Sequence, residues 1–141
     1  MAAFKKIFKK IIKSAIFAAF AFPLLYIALN IGIIAVNDIG AAAAKSELVK
    51  EAKANDLTVI SSECRVGHFF GNGNGAEYLS VVFLSEVPKE EDFEGCDIYL
   101  PDKYKEKCGY YISPPQDYKC AVIKLTSPGN YLLYDFDLRG H

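Results

Sequence analysis

Ser14 to Val36 reads SAIFAAFAFPLLYIALNIGIIAV, 23 residues without a charge, in which Asn30 is the one strongly polar side chain. At about 1.5 Å per residue, a helix of that length covers roughly the 30 Å of a bilayer's hydrocarbon core. The stretch therefore predicts a transmembrane helix over residues 14–36. Pro23 and Gly32 lie inside it, and a membrane helix tolerates both, since the carbonyl freed by proline can be satisfied by water or a neighbour. Asn30, six residues from the end of the run, is expected near the outer interface, within reach of headgroups or water.

Three other readings compete with the span. A core helix of a soluble protein is usually shorter, with apolar runs of about 10–14 residues. A cleavable signal peptide would use the small residues Ala41 to Ala44 as its cutting site and release a secreted soluble domain, an inhibitor or small enzyme, starting at Lys45. A lipoprotein needs a cysteine beside the run, and the first cysteine is Cys64.

Working outward, residues 1–13 set Phe4, Ile7, Phe8, Ile11 and Ile12 on one helical face, with Lys5, Lys6, Lys9, Lys10 and Lys13 on the other. Such a basic amphipathic segment lies on anionic headgroups, each lysine worth about 1 kcal/mol near the surface. The same lysines predict an N-terminus in the cytoplasm and the rest of the chain outside, since Asp38, Lys45 and Glu47 offer no comparable positive flank.

Charge divides along the same line. Residues 1–37 carry five positive and no negative charges, whereas the remainder holds 11 Lys plus Arg against 17 Asp plus Glu, a net of −6. A domain of that sign is a poor ligand for nucleic acid, which is excluded as a partner.

Residues 37–56 are expected to form a helical connector, with a bend at Gly40 or at Asn37-Asp38, and residues 57–141 a small extracytoplasmic domain. Leu57 to Phe70, Glu77 to Leu84 (EYLSVVFL), Tyr118 to Leu125 and Tyr131 to Leu138 read as strands, with shorter candidates at Cys96 to Leu100 and Gly109 to Ser113. Pro88 to Glu94 suggests one helical turn. The glycine run 71–75, GNGNG, has strand-like sequence on both sides, so it predicts a hairpin tip and not a phosphate loop. The fold class expected is α+β: one transmembrane helix, then a small antiparallel sheet with one or two helices.

All four cysteines, Cys64, Cys96, Cys108 and Cys120, follow the apolar run. An even number in a small exported domain predicts two disulfides, which three connectivities satisfy; Cys64 with Cys120 and Cys96 with Cys108 is preferred, because residues 64 and 120 lie in strand-like stretches. Intervals of 31, 11 and 11 residues lack the close pair of a zinc site. Glu90, Glu91, Asp92 and Glu94 lack the alternate spacing of a calcium loop and read as a solvated face.

No catalytic set is found, and neither a cofactor nor a metal is expected. His68 and His141 belong to no ligand pair, and no serine has nucleophile-elbow context. Function is therefore expected to be binding, to another envelope protein or a ligand. The candidate contact surface is Phe69, Phe70, Asn72, Asn74, Tyr110 and Tyr111, beside and on the hairpin tip, while most of the tyrosines fill the core. The absence of an Asn-x-Ser/Thr acceptor fits a bacterial envelope, with the domain in the periplasm.

The plan of N-terminal membrane helix, antiparallel sheet and disulfides resembles that of a type IV pilin or pseudopilin in architecture alone. Lys13-Ser14-Ala15-Ile16-Phe17 has no glycine before its aromatic residue and the apolar run has no glutamate, so that family is not assigned.

Overall fold

The computed structural model describes residues 2–70, 76–129 and 137–139, with side chains from Phe4 onward. It is α+β: one long apolar helix and a four-stranded antiparallel sheet. α1 runs unbroken from Ala2 to Ala54, through Pro23 and through the expected bend at Gly40. The basic segment, the apolar run and the connector are thus one helix of about 80 Å. Its apolar half is long and hydrophobic enough to cross a membrane, and most of its large side chains face outward, Phe17 at 74% exposure and Ile31 at 62%.

Past the apolar run the helix acquires a buried stripe, Asn37, Ala41, Ala44, Leu48 and Ala52, recurring every three or four residues. Three alanines in that stripe let the helix lie close on the sheet. The strands are β1 (Val59–Gly67), β2 (Glu77–Leu84), β3 (Asp97–Tyr99) and β4 (Cys120–Thr126), in the spatial order β1-β2-β4-β3. β2 occupies an inner position and every one of its residues is buried.

Strand alternation divides the core into two layers. Val82, Leu84 and Val122 meet Leu48, Ala52 and Phe93 on the α1 side. Leu79, Val81, Phe83, Ala121 and Ile123 meet Phe69, Tyr104, Cys108, Ile112 and Tyr118 on the other. The second layer is roofed by α2 (Pro101–Lys107) and the turns that follow it. α2 begins on a proline at its first position and closes with the Cys108 and Gly109 N–H groups donating to the Tyr104 carbonyl, at 2.7 and 3.0 Å.

The sheet explains why the expected disulfides do not form. All four cysteines are free. Cys64 pairs with Ser80, Ser80 with Lys124, and Cys120 lies four residues from Lys124 along β4, so two strand spacings and four residues separate the first proposed pair. That is about 16 Å, against the 4.4–6.8 Å between Cα atoms that a disulfide requires. Cys96 packs with the α1 layer and Cys108 is buried in the opposite one, so the sheet itself stands between the second pair.

Other expectations differ in detail. Gly109 to Ser113 makes turns and not a strand, and Glu90–Asp92 is a short 3-10 helix. Asn30 is buried and donates its amide to the Tyr26 carbonyl one turn back, at 3.0 Å. Residues 71–75 and 131–136 and His141 lie outside the described residues, so the hairpin tip and most of the last expected strand do too.

Candidate functional site

The helix and the sheet run nearly side by side. Tyr78, paired with Val66, touches the helix at Asn37 and Gly40, whereas Leu84, paired with Val59, packs in the layer of Leu48 and Ala52. The first contact is separated from the second by about 12–22 Å along the helix and about 20 Å along β2, so helix and strand advance in the same sense. One end of the sheet, carrying the β1–β2 connection, therefore lies beside the apolar half of α1, and the other lies beside Ala52.

A buried polar clasp holds the near end. Asn37 donates to Asp137 Oδ2 at 2.8 Å and accepts from the Tyr78 hydroxyl at 3.0 Å. Arg139 pairs with Asp137 at 3.0 Å and with Asp38 at 2.8 Å, and its Nη2 also donates to the Ile34 carbonyl at 3.2 Å. Burial alone would push the Asp137 carboxyl up; the hydrogen bonds from Arg139 and Asn37 outweigh it and hold the group below its usual range. The same carboxylates raise Arg139.

Gly40 is needed at this crossing. A Cβ there would lie 2.6 Å from the Tyr78 ring.

The same end of the sheet displays aromatic rings. Phe69 is buried and belongs to the core, which removes it from the contact surface expected of it. Its ring anchors Tyr111 edge to face at 5.1 Å, and Tyr111 in turn meets Phe70 at 6.0 Å and Tyr110 at 5.8 Å. Phe70 is 40% exposed and sits at φ 59°, a left-handed conformation that costs a non-glycine residue about 1–2 kcal/mol. Tyr110 is 94% exposed. Gly109 allows the chain to turn out of α2 into this ledge, since a Cβ there would meet the Lys105 carbonyl oxygen at 2.8 Å. Of the other expected contact residues, Asn72 and Asn74 lie outside the described residues. Lys5, Lys6, Lys9, Lys10 and Lys13 are all exposed along the first turns of α1.

The thiols offer little chemistry. Burial pushes Cys120 up to about 11 and, with the nearby Asp97 charge, Cys108 to about 11; burial raises Cys96 as well. All three are held as thiols at neutral pH. Among the described residues no three His, Cys, Asp or Glu side chains converge to hold a metal ion. The clasp escapes a reading of the sequence because its partners are separated by as many as 105 residues; the isolated Asn37-Asp38 pair after an apolar run is its only local mark.

No protein-family model, curated protein or solved structure matches this chain.

Proposed function

We propose that the chain is a single-pass membrane protein that works by binding, through the aromatic ledge of Phe70, Tyr110 and Tyr111. The exposure of Tyr110 carries this reading: a ring 94% open to its surroundings, steadied by Tyr111 on a buried Phe69, is a surface built for contact. The partner is another protein of the same envelope or a ligand at its surface. The lysine-rich N-terminus stays in the cytoplasm and the α+β domain lies across the membrane. With no disulfide present, that orientation rests on the lysines alone.

Release by cleavage near Ala44 is the second reading, and packing counts against it. A cut before Lys45 would strip Asn37, Ala41 and Ala44 from the buried face of α1 and dissolve the clasp.

A photo-activated crosslinking side chain at position 110, in the full chain in native membranes, tests the proposal. An adduct, to protein or to another ligand such as lipid, is expected there and none at Val87, which is 57% exposed at the opposite end of the sheet. Equal labelling of both positions would overturn it.

A further inference from the structure

The clasp reaches down to the Ile34 carbonyl, inside the apolar run, so no spacer separates the domain from the place where α1 leaves the lipid. From Lys13 to Ile34 the helix rises about 31 Å, close to the thickness of the hydrocarbon core. Because β2 advances in the same sense as the helix, the end bearing the ledge lies on the membrane side and the end beside Ala52 lies away from it.

Charge is sorted along the same axis. Residues 66–76 and 108–116 contain no Asp, Glu, Lys or Arg. Two acids of the near end are buried, Glu77, which accepts from the Phe69 N–H at 3.2 Å, and Asp137, while the exposed Asp38 is neutralised by its pair with Arg139. Arg65 and Lys107, the charged residues that immediately precede the two uncharged stretches, are exposed cations, with exposed Glu63 and Glu106 one step further out. Exposed Glu86, Glu90, Glu91 and Glu94 crowd the far end. Uncharged aromatic surface whose nearest charged neighbours in sequence are Arg65 and Lys107 is a composition that a lipid headgroup zone accepts.

We propose that the occupant of the ledge is the bilayer surface itself: Phe70, Tyr110 and Tyr111 seat in the headgroup zone of the membrane that α1 crosses, fixing the domain against it. This rests on the single-pass reading above and names the partner of the same surface.

The chain has no tryptophan, so Tyr110→Trp provides a single reporter at a position too exposed to disturb folding. The full chain is reconstituted in phosphatidylcholine–phosphatidylglycerol vesicles whose lipids are brominated near the headgroup end of the acyl chains, with Val87→Trp as the far-end control. Quenching at 110 is expected to exceed that at 87 by about twofold or more. Equal, weak quenching in a chain that resists alkaline carbonate extraction would overturn the lipid contact and leave the single-pass reading standing. A protein adduct from the crosslinker at 110, together with weak quenching, would overturn the lipid contact in favour of a protein partner. Extraction of the chain by carbonate would overturn both.

Discussion

Asn37 and Asp137, one hundred residues apart in sequence, meet at 2.8 Å in a fully buried contact that ties the last described segment of the chain to its first helix. Two bonds of the Asn37 amide lie within the fold, one to the carboxylate and one from Tyr78. The clasp is thus a single network with three contributors: helix, sheet and tail.

Removing the amide should be costly. Asn37→Ala is expected to destabilise the domain by about 2–3 kcal/mol, because it takes a donor from a buried carboxylate. Asn37→Asp should cost more at neutral pH, since it sets a second carboxylate against the first, and the excess should vanish on acidification. Thermal melting of the two variants in detergent checks the order.

The pH dependence has a definite sign. Folding holds the Asp137 carboxyl below its usual value, so its contribution is fully present above the unfolded value near ~3.9 and is lost as pH falls through the folded one. The denaturant midpoint should therefore fall between about pH 5 and pH 3, and Asp137→Asn, already destabilised at neutral pH, should show a flatter acid limb.

Gly40→Ala opposes a local rule. Alanine is the better helix former by about 1 kcal/mol, yet its Cβ would meet a buried Tyr78 ring whose hydroxyl is bonded to Asn37. A net loss of about 1–2 kcal/mol is expected. Gly32→Ala, with nothing within 4 Å, is the control and should not destabilise.

Alkylation reads the cysteines directly. In the native protein Cys64 and Cys96, both partly exposed, should react before Cys108 and Cys120, which are buried and held near 11. After denaturation without reductant all four should react. Two that stayed unlabelled until reduction would restore the disulfide.

Where the pattern is local, the chain announces its structure. EYLSVVFL reads as a strand and forms one over those same residues, and the helix-forming run after Gly40 is helical up to Ala54. α2 passes unnoticed because PDKYKEK buries only Tyr104 and so shows no apolar stripe. The cysteine pairing misleads for a different reason. Strand order and register decide how far apart two thiols lie: Cys64 and Cys120 share a face of the sheet yet stand two strands and four residues apart. Phe69 and Phe70 show the same limit, neighbours in sequence of which one is core and the other ledge. The clasp leaves no periodic trace, since a contact across a hundred residues is written in no window of sequence.

The unbroken run of α1 from Ala2 to Ala54 makes it a drive shaft. On the single-pass reading proposed above there is no swivel between lipid and sheet, so the azimuth of the domain is locked to that of the rod, at about 100° per residue. One residue inserted just before Ile34 would turn the apolar half of the rod by that angle relative to the ledge, and any neighbour gripping that half would apply torque to everything above it.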